Sequence, residues 1–255
     1  MIPAALLLAG LCAAQDPTPE EEPAPIPVQT STAPVGSTGA AERWVRQASS
    51  LLRYDAAGDL AEEVGLGRWE EVGASGPVTR QLRGDASPGG SFAWTFEKKT
   101  FWNASKTKIL TTERHLRFLG RGASELWSAP EADAPSSGEP VVFSADGETV
   151  LAALRRPEGW WVSMRTYIGN VLMEAGPFPS LTSTALAPGG RFALARWTEV
   201  DKSATHSFLS AVSKKRVDVP SDSFLLGPAE LRDDGKVYSG TKLILDLAAP
   251  APPAP

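Results

Sequence analysis

The side chains that could perform chemistry in this sequence are few and scattered. The chain has two histidines, His115 and His206, and a single cysteine, Cys12. It contains no Gly-x-Ser-x-Gly elbow, no His-Glu-x-x-His pair, no phosphate-binding Gly-x-x-x-x-Gly-Lys loop and no dinucleotide fingerprint. Two histidines are too few for a histidine-rich metal centre, so we predict no metal and no cofactor.

His206 is the one histidine with hydroxyl neighbours in the sequence, Thr205 and Ser207. A histidine beside a hydroxyl can act as the general base for a serine nucleophile. We instead interpret His206 as a solvated histidine at the edge of a strand, and we predict no catalytic residue.

Carboxylates are numerous, and a distant pair of them could cleave a glycosidic bond. Asp146, Asp233 and Asp234 lie in turn sequences, where a short acidic side chain bonds to nearby backbone. We interpret these three as structural. A carbohydrate-active hydrolase, with carboxylates and an exposed indole converging in one funnel, stays open as an alternative.

Trp160 and Trp161 form the pair that most suggests binding. Neighbours on a strand point to opposite faces, so one indole is expected at the surface, where it could stack on a sugar or anchor a protein. We name both as the candidate binding residues. The alternative is that both fill space between packed sheets.

Residues 1–14 have the pattern of a secretory signal peptide, with an apolar run from Ile2 to Leu11 followed by small residues. This run is too short to cross a bilayer, so we expect no transmembrane span. Cys12 fits part of a lipoprotein pattern, but Leu11 stands where that pattern has a small residue. We therefore expect a periplasmic or extracellular protein and favour this over an outer-membrane lipoprotein acylated on Cys12.

The two ends of the chain differ in composition from its middle. Residues 15–39 are rich in Pro and Glu and predict a disordered linker, and residues 248–255 predict a Pro-rich tail. The net charge is −5, and four acidic residues lie in the linker. The rest is nearly neutral and lacks a basic stripe, so we predict no nucleic-acid partner.

Residues 40–65 contain apolar positions spaced three and four apart, including Trp44, Ala48 and Leu51. Polar residues fall on the other face of a helix drawn through them. This spacing predicts one amphipathic helix.

Residues 66–247 are typical of short strands joined by turns, and four similar turns recur. They are Ser87-Pro88-Gly89-Gly90, Ser144-Ala145-Asp146-Gly147, Ala187-Pro188-Gly189-Gly190 and Arg232-Asp233-Asp234-Gly235. Their last glycines are 57, 43 and 45 residues apart, near the length of a four-stranded propeller blade. Since tight turns require positive φ angles, we interpret Gly90, Gly147, Gly190 and Gly235 as structural turn residues.

An alternating apolar strand follows these turns, as in residues 92–96. A Ser-Pro-Asp-Gly turn before such a strand resembles the repeat of the TolB-type, WD-like β-propellers, and the resemblance covers about residues 78–247. The first and third copies carry Gly89 and Gly189 where the repeat has Asp. The resemblance implies a radial array of four-stranded blades in an exported bacterial protein.

We therefore predict an all-β fold: a small β-propeller of about four four-stranded blades, preceded by one amphipathic helix. The last repeat stops before its fourth strand, which residues 67–72 could supply to close the ring. The alternatives are an incomplete propeller or a β-sandwich built from the same hairpins.

The export signal, the missing catalytic motifs and the repeats together predict a noncatalytic protein-binding or scaffolding component of the bacterial cell envelope. Its expected partner is an envelope protein, with carbohydrate as a second possible ligand. Besides the hydrolase, one further alternative is a structural subunit of a larger envelope assembly, whose last blade is completed by a strand from another polypeptide.

Overall fold

The computed structural model describes residues 41–74, 76–199 and 203–248. The signal peptide of residues 1–14, with Cys12, and the linker of residues 15–39 lie outside the described residues, as does the Pro-rich tail after Ala248. The described residues form five antiparallel sheets and one short 3-10 turn, Ser221–Ser223, and contain no α-helix.

The first sheet is a meander of three strands, β1 (Arg43–Gln47), β2 (Ser50–Tyr54) and β3 (Leu60–Gly65). The predicted amphipathic helix over residues 40–65 is therefore wrong. Trp44 and Leu51 lie on one face of the β1–β2 hairpin, and both are buried against the second sheet. The Trp44 indole also donates to the carbonyl of Gly120, at 2.8 Å. Packing between sheets thus overrides a local spacing that favours a helix.

The other four sheets follow the chain in order. The second contains β4 (Gly67–Gly73), β5 (Gly76–Ala86), β6 (Ala93–Trp102), β7 (Ile109–Leu119) and β8 (Glu125–Ala129). The third contains β9 (Val141–Phe143), β10 (Thr149–Arg156), β11 (Gly159–Thr166) and β12 (Val171–Phe178). The fourth contains β13 (Ser183–Leu186), β14 (Phe192–Thr198), β15 (Ala204–Ser210) and β16 (Lys215–Pro220), and the fifth contains β17 (Ala229–Leu231), β18 (Lys236–Ser239) and β19 (Lys242–Asp246).

Each inner sheet packs against a neighbour on both of its faces. Along β6, Ala93 lies in a hydrophobic cluster with the first sheet, whereas Trp94 and Phe96 lie in a cluster with the third. Two further clusters join the third sheet to the fourth and the fourth to the fifth. A β-sandwich has only two facing sheets, so this serial packing does not fit that alternative.

Within the described residues, no strand pairing and no hydrophobic cluster joins the first sheet to the fifth. Both end sheets have three strands, so the prediction of about four four-stranded blades is corrected to five sheets of unequal size. Residues 67–72 pair with β5 inside the second sheet, so the predicted closing role of this segment is wrong.

The four repeated turns lie where one sheet contacts the one before it. Gly90, Gly147, Gly190 and Gly235 have φ angles of 68°, 75°, 70° and 81°. A Cβ added at Gly90 would lie 2.7 Å from the carbonyl oxygen of Trp44, and one at Gly190 would lie 2.6 Å from the Cβ of Thr149. The Trp44 amide also donates to the Gly90 carbonyl, at 2.8 Å. Glycine is therefore needed both for the turn and for the close approach of successive sheets.

Replacing Gly90 by alanine should lower the free energy of unfolding by about 2 kcal/mol or more, because a left-handed alanine is strained and its Cβ meets the Trp44 backbone. Gly89 is the matched control, since a Cβ there meets open space at an ordinary φ. Gly89→Ala should leave stability unchanged or raise it by up to about 1 kcal/mol. Equal urea midpoints for the unfolding of the two variants would contradict the conclusion that Gly90 is needed for the close approach of the first two sheets.

Candidate functional site

The structure does not bring Trp160 and Trp161 together. Both lie half-buried on β11, but Trp160 packs against the cluster between the third and fourth sheets and Trp161 against the cluster between the second and third. Arg155 and Arg156 lie over the two rings, 5.3 Å and 4.9 Å from their centroids. Both indoles thus fill space between sheets, and their role in binding stays a prediction.

The turn carboxylates bond to nearby backbone and hydroxyl groups. The Asp146 carboxylate accepts from the Ser144 hydroxyl at 2.6 Å and from the Glu148 amide at 2.9 Å, and these bonds lower its pKa. Asp233 accepts from the Gly189 amide at 2.6 Å, across the contact between the fourth and fifth sheets. These geometries agree with a structural role for the turn carboxylates.

One cleft of about 380 Å³ on the second sheet contains two carboxylates, Glu97 and Glu113, beside His115 and Lys99. Glu97 forms ion pairs with Arg80 and with Lys99, whose Nζ lies 3.7 Å away. No tryptophan is among the described residues that line this cleft. It therefore lacks the exposed indole that the hydrolase alternative expects to find beside its carboxylates.

A second cleft, which we call the His206 cleft, lies between the fourth and fifth sheets and has a volume of about 340 Å³. Ser183, Arg196 and His206 are paired neighbours on β13, β14 and β15, so their side chains form a row across one face. Phe224, which follows the 3-10 turn, also lines the cleft. The cleft thus combines a polar row with an aromatic wall.

His206 is buried, with 9% of its surface exposed, so the prediction of a solvated histidine is wrong. The ring centroids of Phe224 and Phe208 lie 4.9 Å and 6.2 Å from that of His206. Burial, followed by the charge of Arg196, lowers the pKa of His206. The lowered pKa favours the neutral form of the His206 imidazole.

The hydroxyl partner of His206 is distant in sequence. Ser221 Oγ lies 3.1 Å from His206 Nδ1, whereas Ser207 lies on the other face of the sheet. There Ser207 accepts from the indole of Trp197 at 2.8 Å and donates to Asp218 at 2.6 Å. No carboxylate is among the described residues that line the His206 cleft, so it lacks the acidic member of a catalytic triad.

Sequence reasoning missed Ser183, Arg196 and Ser221 as neighbours of His206. Alternation along β14 indicates that Arg196 shares a face with Phe192 and Leu194, which is the signal that was available. The register that places Arg196 beside His206 relates two separate strands and is not visible in the sequence.

The second sheet extends beyond its packed part, because β5, β6 and β7 have 11, 10 and 11 residues, against seven or eight in the central strands of the next two sheets. We call its free end the second-sheet tip. The tip exposes four large apolar side chains: Trp69, Val72, Ile109 and Leu110. Val72 is 97% exposed, and Ile109 and Leu110 are about half exposed. The β6–β7 turn is held to β4 by an ion pair between Lys106 and Glu70.

No protein-family model and no curated protein matches the sequence. The solved structures to which the chain is similar include β-propellers. One is the β-propeller domain of the Trilobed protease from Pyrococcus furiosus, described as having an open velcro topology, at 9% identity over 67% of this chain and 47% of that chain, with a TM-score of 0.42. Another is TolB from Acinetobacter baumannii, at 12% identity over 68% of this chain and 49% of that chain, with a TM-score of 0.34.

A third is the Swd1 β-propeller domain from Myceliophteria thermophila, at 12% identity over 70% of this chain and 67% of that chain, with a TM-score of 0.28. The chain thus spans about half the length of the first two proteins. Within the described ranges, no helix has the length and apolar character needed to span a bilayer.

The stability of the protein should depend on the titration of His206. Since its folded pKa lies below the unfolded value, the neutral ring contributes stability that is complete above about pH 6.5 and is lost as the pH falls toward the folded pKa. Between pH 7.5 and 5.5, the wild type should lose more unfolding free energy than His206→Gln, and the matched control His115→Gln should follow the wild type. Equal losses of unfolding free energy in the wild type and His206→Gln, measured by urea unfolding, would refute this dependence on His206.

Proposed function

We propose that this protein is a noncatalytic binding or scaffolding component of the bacterial cell envelope, and that its second-sheet tip contacts a protein partner. The observation that supports the proposal is the exposure of Val72, Ile109 and Leu110 at this tip, where the strands extend beyond the packed part of the second sheet. Exposed apolar patches with polar surroundings are typical of protein interaction sites.

The tip also holds an aromatic and cationic pair of the kind that contributes strongly to interfaces. The Arg80 guanidinium lies 5.4 Å from the centroid of the Trp69 ring and is 3.3 Å from a carboxylate oxygen of Glu71. Glu71 in turn accepts from the Trp69 indole, at 2.8 Å. These mutual contacts restrict both side chains before a partner arrives, which reduces the entropy lost on binding.

The proposed location is periplasmic or extracellular. It is supported by the signal-peptide pattern of residues 1–14, with the Pro/Glu-rich residues 15–39 as a tether to the sheets. An envelope protein is therefore the proposed partner.

The fifth sheet supports a second candidate function, that of a structural subunit whose last sheet is extended by a strand from another chain. This sheet has three strands, β19 lies at its edge, and Leu225 and Leu243 are exposed within the same 224–247 segment. An unpaired strand edge can accept a strand from a partner.

The deciding experiment is cross-linking and affinity recovery of the tagged full chain from its native envelope, comparing three variants by quantitative mass spectrometry. Ile109→Ser combined with Leu110→Ser should reduce recovery of the main partner about tenfold, because the apolar contact is lost. Val212→Ser, which alters an exposed apolar residue on the fourth sheet, is the matched control and should leave recovery unchanged.

A third variant, Leu225→Asp, separates the two candidates. Loss of recovery in Leu225→Asp, with full recovery in the tip variant, would replace the tip proposal by the structural-subunit candidate. Equal recovery in all three variants would overturn both.

A further inference from the structure

The His206 cleft carries an inference that is independent of the tip and its partner. We propose that this cleft is a binding site for a small monocarboxylate with an apolar body. The proposal rests on the donors that converge in the cleft, on its charge and on its apolar wall.

Arg196 supplies the charge. Its side chain is exposed at the cleft, and among the described residues it forms no hydrogen bond and no ion pair. By contrast, Arg156 and Arg216 elsewhere on the third and fourth sheets each bond a carboxylate, Glu174 and Asp218. A guanidinium presents paired N–H donors whose geometry matches a carboxylate. Arg196 can therefore bind the carboxylate of a ligand.

The other polar groups of the cleft complement the same ligand. Ser183 and His206 flank Arg196 across the strands. Ser221 Oγ lies 3.1 Å from His206 Nδ1, and in the tautomer in which Ser221 donates to Nδ1 the proton on Nε2 is a further donor. An ionised carboxylate is an acceptor only, and it can use the guanidinium, the Ser183 hydroxyl and this N–H together.

The charge balance favours a monoanion over a dianion. No Asp or Glu and no second Arg or Lys is among the described residues lining the cleft, so Arg196 provides the permanent charge there. A monocarboxylate neutralises it, whereas a phosphate dianion would leave one negative charge uncompensated in a half-enclosed site.

The remaining lining is apolar. Leu194, Phe224 and Ala229 form the apolar wall of the cleft, and all three also pack at the margin of the cluster between the fourth and fifth sheets. The volume of about 340 Å³ lies at the lower end of the range for small-molecule sites. An aromatic or branched aliphatic body fits this wall, so the ligand class is an apolar monocarboxylic acid.

The test uses the imidazole resonances of the full chain, which contains only His115 and His206. Benzoate is titrated at pH 7 while both ring signals are followed by NMR, with assignment from His206→Gln. A saturable shift of the His206 signal alone is expected, with affinity about tenfold higher for benzoate than for acetate or inorganic phosphate. Absence of a His206 shift, or equal affinity for phosphate, would overturn the proposal.

Arg196→Gln should weaken benzoate binding about tenfold or more, since a charge-assisted pair is removed. Arg68→Gln, at an exposed arginine of β4, is the matched control and should bind as the wild type does. Ser183→Ala removes a neutral hydroxyl from the same row and should weaken benzoate binding by a smaller factor. The His115 signal serves as the check that Arg196→Gln is folded. If this variant is folded and still binds benzoate with wild-type affinity, the proposal fails.

Discussion

Each sheet in this protein can approach the one before it because four turns end in glycine where a side chain would collide with the preceding sheet. At Gly90 the colliding group is the Trp44 backbone, and at Gly235 it is the ring of Phe192. Backbone bonds cross the same contacts, as from the Ala145 amide to the Pro188 carbonyl at 2.8 Å. The close approach sets which faces of neighbouring sheets are buried, and so it fixes both the cores and the clefts between them.

Core and cleft are made from the same strand faces in the fourth sheet. Along β14, Phe192 lies in the hydrophobic cluster with the fifth sheet, and Arg196, on the same face, lines the His206 cleft. Along β15, Phe208 lies in the same hydrophobic cluster and His206 lines the cleft. The cleft therefore exists where the apolar cluster stops and the two sheets remain side by side. A ligand there would contact groups that the packing of the two sheets has already positioned.

The sequence predicts the strands after residue 66 well, because Gly-centred turns and alternating apolar residues specify hairpins locally. It fails before that point, where the positions of Trp44 and Leu51 suit a helix but are buried by a sheet that lies later in the chain. The His206 cleft was missed for a similar reason. Its described members come from four strands and the 3-10 turn. The cross-strand register places Arg196 beside His206, and the 3-10 turn brings Ser221 to the same ring. Contacts of this kind depend on tertiary packing, which no local pattern encodes.

Five sheets stack in series, and within the described residues no strand pairing and no hydrophobic cluster joins the first to the fifth. In a serial array each sheet is stabilised by its neighbours, so the end sheets should open at lower free energy than the middle ones. Native-state hydrogen exchange of the full chain, followed by mass spectrometry, tests this directly. We expect the slowest exchange in β10, β11, β14 and β15 and the fastest strand exchange in the first and fifth sheets. Protection of β1 and β19 equal to that of the middle sheets would contradict the open series and indicate a closed ring.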